Sequence, residues 1–345
     1  MGTENLRLLT LRQLTGKTQK EFAPLLGVKQ AQYSQIEKGL RAFTEQHKLA
    51  LKFHFKLDPS FFDETPISYG ATSLNYRRRN LSARDLAMAT ATFGLTEQAV
   101  TKDSGPNQLV PLTTVPVRAR RCKAEIEQLA AETRALIGVP QDKVINNVTR
   151  CMQRLGILVT PLENPSLPAD KVDGISTPTC RHHPFVTTLN YDAPGDRFRF
   201  SAAHELGHIM LHSAGHDGSL ADREAEADMF AAAFLMPRSV FSEMLSPDLT
   251  LNGYAQIKAQ WGTSIQSLVR RTFDLDIISK DRYRSLNMQI SGRGWKKNEP
   301  VEVPIEPILI PTPDFLNVWS PESSSDDNSP NTTNFASVTS LHRRR

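Results

Sequence analysis

Apolar residues near the start of the chain recur at helical spacing and are interrupted by single glycines. Thr18, followed three residues later by Glu21, has the capping-box pattern that marks the first turn of a helix. Gly27 and Gly39 stand where the next two periodic runs stop, and glycine at such positions ends a helix. The pattern therefore predicts a small all-α unit over residues 5–62. Its two central helices are predicted at Gln19–Leu26 and Gln30–Lys38.

The rest of the chain combines helical periodicity with short runs of β-branched residues. Residues 96–116 are polar and contain prolines and glycines, so they are predicted to form a linker. From Pro311 onward serine, aspartate, asparagine and proline dominate, which predicts a disordered tail. The predicted helices are Ala83–Phe93, Lys123–Leu136, Val144–Leu155, Phe200–His212 and Asp222–Met236, and the predicted strands are Ile157–Val159, Val172–Ser176 and Phe185–Tyr191.

These elements predict an α+β fold, in which a small all-α domain precedes a mainly helical domain with a small β-sheet. The predicted divisions are residues 1–65 for the first domain, 66–118 for a connecting helix and linker, 119–300 for the second domain and 311–345 for the tail.

Composition narrows the class of protein only slightly. Hydrophobic residues make up 39% of the chain, and the net charge of +4 permits binding to nucleic acid without requiring it. The three cysteines form no CxxC pair, which favours reduced thiols over disulfides or a cysteine zinc site. Neither a secretory signal nor a long apolar span is evident. We therefore expect a cytoplasmic protein that does not enter a membrane.

The strongest chemical signal is a pair of histidines four residues apart. His204 and His208 share one face of the predicted helix, and Glu205 lies one step round it. This is the HExxH arrangement of zinc peptidases. The flanking residues are apolar, so the three polar side chains would be buried at a cost that a bound metal ion offsets. Zinc suits imidazole ligands, although another divalent ion could also bind.

A third metal ligand has to come from outside this helix. Glu224 is preferred, because it shares a helical face with Asp228, so that one carboxylate can bind metal while the other supports a ligand histidine. Glu226 is expected to point away from both and to meet solvent. His212 lies a full turn beyond His208, too far along the helix axis. Glu226 and His212 remain the alternatives to Glu224.

The residues suggest hydrolysis of a peptide bond. Glu205 would act as the general base towards a water molecule that zinc acidifies, and would then protonate the leaving nitrogen. The strand at 185–191 is expected to offer its edge to an extended peptide. A second group would stabilise the developing oxyanion. The candidates for that role are Tyr191, His182, His183 and Tyr254.

Two longer segments around these residues carry a family pattern. They are FSAAHELGHIMLH at 200–212 and EAEADMFAAAFLMP at 224–237, and together they resemble the ImmA/IrrE family of metallopeptidases. The resemblance covers about residues 119–300 and implies a zincin-like fold. It implies zinc ligation by His204, His208 and Glu224, with Glu205 as general base. Members of this family are typically intracellular and cleave, or act on, repressors and other regulators.

The N-terminal unit resembles an XRE-type (Cro/repressor) helix-turn-helix at Thr18–Ala23, Leu26–Val28 and Tyr33–Gly39. Pro24 departs from that pattern, because proline inside a helix removes a hydrogen bond and kinks the chain. The resemblance implies that the second helix enters the major groove of double-stranded DNA, and a palindromic site would imply a homodimer. The residues expected to contact DNA are Lys29, Gln30, Gln32, Tyr33 and Gln35, with Gln19 on the phosphate backbone.

Three functions are compatible with these patterns. The preferred one is a DNA-associated zinc endopeptidase that cleaves a repressor or antitoxin-like protein. The second is a DNA-binding regulator whose peptidase-like domain senses or binds a partner without proteolysis. The third is a purely structural zinc site. Glu205 argues against this last reading, because a closed structural site has no need of that carboxylate.

Overall fold

The computed structural model of the chain describes residues 2–58, 60–70, 74–78, 81–103, 121–168, 170–177 and 185–307. The tail predicted at 311–345 lies outside these ranges.

The N-terminal helices are α1 Thr3–Leu14, α2 Gln19–Phe22, a 3₁₀ helix Ala23–Leu26, α3 Gln30–Glu37, α4 Glu45–Phe55 and α5 Ala83–Asp103. The later helices are α6 Lys123–Leu136, α7 Val148–Arg154, α8 Gly195–His212, α9 Leu220–Leu235, α10 Arg238–Met244, α11 Leu251–Trp261, α12 Ile265–Asp274 and α13 Lys280–Gly292. The strands are β1 Asn75–Arg78, β2 Leu158–Pro161, β3 Val172–Ser176 and β4 Val186–Leu189. The predicted α+β class is confirmed.

The N-terminal helices pack around a core of their own, which includes Leu8, Phe22, Ile36 and Phe55. The predicted capping box is present, since the Thr18 side chain accepts from the Glu21 amide while Glu21 accepts from the Thr18 amide. The predicted helix Gln19–Leu26 is divided after four residues, because Pro24 at its centre favours the tighter 3₁₀ turn. Gly27 then closes the turn with a φ of 66°.

Helix α5 joins this N-terminal core to the β-sheet. It runs to Asp103, ten residues beyond the end that the sequence pattern predicts at Phe93, and so takes up the start of the predicted linker. Ala91 packs into the N-terminal core, whereas Met88 and Phe93 pack with sheet residues such as Ile175. The polar residues that suggested a linker include Thr96 and Glu97, but both are buried in this helix.

The sheet has four strands in the order β1-β3-β4-β2. β3 pairs antiparallel with both β1 and β4, and β2 pairs parallel with β4. The sequence pattern did not predict β1. The expectation that the strand at 185–191 offers a free edge is wrong, because β4 is hydrogen-bonded on one side to β3 and on the other to β2.

Helices α8 and α9 pack closely against each other, and α6 covers a further side of α9. Gly207 lies at the closest approach of α8 to α9, since a Cβ atom there would lie 3.2 Å from the Ala227 Cα atom and 3.1 Å from the Phe230 ring. A side chain at residue 207 would require its neighbours on α9 to shift by a few tenths of an ångström. The close approach of the two helices brings polar residues of α9 beside the histidines of α8.

The described helices contain no segment long and apolar enough to cross a membrane.

Candidate metal centre and helix-turn-helix surface

Two histidines of α8 and one glutamate of α9 converge in the interior of the unit that follows α5 and includes helices α6 to α13. The Nε2 atoms of His204 and His208 are 3.0 Å apart. The two carboxylate oxygens of Glu224 each lie 3.4 Å from one of these nitrogens. The histidine side chains are almost fully buried, and Glu224 is 31% exposed. Among the described residues, these three side chains form one of two groups whose donor atoms are close enough to share a metal ion.

The ionisation states of His208 and Glu224 suit a cation. Burial, together with the neighbouring histidines, lowers the pKa of His208 to about 3, so that its imidazole is neutral at ordinary pH. Burial alone would raise the pKa of Glu224, but hydrogen bonds with His204 and His208 hold it well below its usual value. Two imidazoles and one carboxylate are a donor set that fits zinc.

Asp228 lies one turn beyond Glu224 on α9. Its Oδ1 atom is 2.8 Å from Nδ1 of His204, the ring nitrogen that faces away from His208. A carboxylate in this position fixes the orientation of the ring and leaves Nε2 free of its proton. The predicted relationship between Asp228 and a neighbouring histidine is therefore present in the geometry.

Strand β3 contacts the carboxylate of Glu205, which is fully buried. The Ser176 hydroxyl donates to Oε2 of Glu205 at 2.5 Å. A Cβ atom at Gly174 would lie 2.9 Å from Cγ of Glu205, so only glycine leaves room for this carboxylate. The sequence assigned no role to either residue, because a buried strand gives no sign of which helix it will face.

The expectation that Glu226 meets solvent is wrong. Glu226 is 1% exposed, because α6 and α8 enclose the face of α9 on which it lies. Its Oε2 atom is 3.1 Å from Nε2 of His212 and 3.5 Å from Nε2 of His216. The two alternatives to Glu224, Glu226 and His212, thus belong with His216 to the second close group.

The candidates for stabilising an oxyanion do not come together. Tyr254 is buried in the helical core, where its hydroxyl donates to Thr272. Tyr191 packs edge-on against Phe198 at the start of α8. His182 and His183 lie outside the described residues.

On the helix-turn-helix, the residues expected to contact DNA divide into two sets. Lys29, Gln30 and Gln35 are exposed, and Gln32 is half-buried and caps the start of α3 through the Lys29 amide. Tyr33 is fully buried, and its hydroxyl donates to Glu37, so the expectation that it faces DNA is wrong. It occupies the inward face of α3 and packs against Phe22.

Gln19 contributes to a buried polar cluster around Glu37. The Glu37 carboxylate accepts from the Gln19 amide at 2.7 Å and from Nε of Arg12 at 2.7 Å, in addition to Tyr33. The Gln19 carbonyl in turn accepts from Gln30 at 3.1 Å. This cluster ties α1 and α2 to α3, and so fixes the position of the exposed face of α3.

Comparison with known families agrees with both units. Residues 152–273 match the family model of the IrrE N-terminal-like domain, and residues 8–47 match that of the helix-turn-helix. No curated protein matches the chain. The two matches follow each other in the predicted order, which confirms a helix-turn-helix segment followed by a domain of a peptidase family.

Proposed function

Since this chain carries a helix-turn-helix followed by an IrrE N-terminal-like domain, we propose that it is a DNA-associated zinc endopeptidase that cleaves a regulatory protein. The observation that carries this proposal is the convergence of His204, His208 and Glu224 beside a carboxylate, Glu205, that strand β3 holds in place. The proposed substrate class is a repressor or an antitoxin-like protein, because the resemblance to ImmA/IrrE peptidases implies a substrate among regulatory proteins.

In this proposal His204, His208 and Glu224 would hold the zinc ion, which when bound would supply a Lewis acid for the scissile carbonyl and for a water molecule. Glu205 would accept a proton from the attacking water on its carboxylate and would later deliver it to the leaving nitrogen. Ser176 keeps Oε2 of Glu205 in a fixed position, and Asp228 orients His204.

Metal content tests the centre directly. Elemental analysis should find about one zinc ion per chain in the purified wild type, as a single three-ligand site requires. Glu224→Ala should lose that zinc, because two imidazoles alone bind it weakly. Glu243→Ala removes an exposed carboxylate from the same domain and is the matched control. A wild type that takes up no zinc even when it is supplied would contradict the proposed centre and favour the regulator without proteolysis.

DNA binding is tested on the exposed face of α3. Lys29→Ala combined with Gln30→Ala should weaken binding to a selected DNA site and reduce the slope of log affinity against log salt by about one. Lys297→Ala removes one exposed charge from the other unit and should leave both quantities unchanged. Equal affinity and salt dependence in the double variant and the wild type would place the DNA surface elsewhere.

A further inference from the structure

A row of buried polar side chains leads away from the candidate metal centre. Nδ1 of His208 lies 3.1 Å from Nδ1 of His212, and Nε2 of His212 lies 3.1 Å from Oε2 of Glu226. The three side chains are at most 2% exposed, so water does not compete for these contacts. The row begins at the ring nitrogen of His208 that faces away from His204 and Glu224.

Glu226 is held at the far end of this row from a separate part of the chain. Its Oε1 atom accepts from the backbone N–H of Arg121 at 2.6 Å, and its Oε2 atom lies 3.4 Å from the Arg121 guanidinium. Arg121 is itself almost fully buried, just before α6 begins. The carboxylate is therefore paired with Arg121 and held facing His212.

The number of protons on each ring determines which nitrogen donates and which accepts in each hydrogen bond of the row. A neutral imidazole carries one proton, and a nitrogen that binds a metal presents a lone pair instead. With Nε2 of His208 facing the centre, its proton lies on Nδ1 and is donated to Nδ1 of His212. His212 then carries its own proton on Nε2 and donates it to Glu226. Each contact thus has one donor and one acceptor.

We propose that His212 and Glu226 are positioning residues that fix the ring orientation and the protonated nitrogen of His208. The proposal rests on the metal centre proposed above. Each of the two ligand histidines then has a supporting carboxylate. Asp228 contacts His204 directly, whereas Glu226 supports His208 through the imidazole of His212. Partners of this kind raise the affinity of a site for its metal without touching the ion.

A second cation bound by His212, His216 and Glu226 is the competing interpretation of the same group. The hydrogen bonds favour positioning. Nδ1 of His216 accepts from the backbone N–H of Gly218 at 2.8 Å, which leaves the proton of the neutral ring on Nε2, the nitrogen nearest Glu226. The guanidinium of Arg121 already neutralises Glu226 and would repel a cation placed there.

Zinc affinity, measured by competition with a chelator, tests this proposal on the full chain. Glu226→Gln and His212→Leu should still bind about one zinc at saturation but with affinity about 10- to 100-fold lower than the wild type. Glu243→Gln makes the same chemical change on the surface and should leave the affinity unchanged. In ¹⁵N-histidine spectra of the zinc-loaded wild type, His212 should carry its proton on Nε2 and His208 on Nδ1.

The outcomes separate this proposal from the metal centre itself. Wild-type affinity in both variants, or a zinc-loaded wild type in which His212 is protonated on Nδ1, would overturn the positioning role while leaving the centre intact. Two zinc ions per chain, one of them lost in Glu226→Gln, would overturn it in favour of a second metal site. No zinc in the wild type would overturn the centre and this proposal together. The spectra require no substitution, so the test stands even if a variant fails to fold.

Discussion

Replacing Glu205 by glutamine should leave zinc bound while reducing cleavage by about 10²- to 10⁴-fold, the usual contribution of a general base. The amide has nearly the same shape as the carboxylate and can still accept from Ser176, so the packing against Gly174 should persist. It cannot accept the proton of a water molecule. Because the ligands His204 and His208 are unchanged, the metal content should match the wild type.

The measurement for Glu205→Gln is cleavage of a mixed library of unfolded peptides, followed by mass spectrometry, on zinc-loaded protein. Glu243→Gln is the matched control, since it makes the same substitution at an exposed position and should cleave at the wild-type rate. Undiminished cleavage by Glu205→Gln would remove Glu205 from the proposed reaction. An inactive wild type that binds zinc and DNA would favour the regulator without proteolysis.

Replacing Glu37 by alanine should destabilise the N-terminal unit by about 3 kcal/mol, near the lower end of the range for breaking a buried ion pair. The carboxylate accepts from Arg12, Gln19 and Tyr33, and its removal leaves all three without that acceptor. Arg12 remains 19% exposed, so water recovers part of the loss. The effect should reach DNA affinity, because these contacts hold α1 and α2 against α3.

Hydrogen exchange of the α1–α3 amides and DNA binding together measure the effect of Glu37→Ala, with zinc content as the internal reference. Glu45→Ala is the control, because Glu45 is 85% exposed and its ion pair lies at the surface. That variant should exchange its α1–α3 amides at close to the wild-type rate, because a solvent-exposed ion pair contributes little to stability. Faster exchange without a loss of DNA affinity would show that the Glu37 cluster is not needed to position the exposed face of α3 for DNA binding.

The sequence predicted best the elements whose limits are set by their own residues. The helix Lys123–Leu136 and the strand Val172–Ser176 have the predicted bounds. Helix α8 begins at Gly195, five residues before the predicted start, where the carbonyls of Val303 and Pro304 cover its first turn. Strand β1 exists through pairing with β3, about 100 residues later in the chain. Both contacts join segments that are about 100 residues apart in the chain, so no local sequence pattern predicts them.

In the candidate site, too, local spacing predicts some features whereas contacts between distant segments determine the others. The spacing of His204, Glu205 and His208 within one helix predicts that they share a site. The spacing on the next helix favours Glu224, with Asp228 beside it, as the group that joins them. The prediction that Glu226 meets solvent is wrong because α9 is enclosed by both α6 and α8, so that more than one of its faces is buried. Ser176 could not be predicted, since its role depends on which helix crosses the sheet.

Helix α5 has a practical consequence for dividing this chain into pieces. Its Ala91 completes the N-terminal core, while Met88 and Phe93 cover apolar residues of the sheet. A fragment that starts at residue 119 would keep every candidate zinc ligand but expose Val172, Ile175 and Val186 to water and lose the strand paired with β3. A fragment that stops at residue 65 would lack the helix that packs against α1. We therefore expect the smallest stable piece that contains the candidate metal centre to begin before β1, upstream of residue 75. A gene cut between the two motifs is expected to yield an aggregation-prone product.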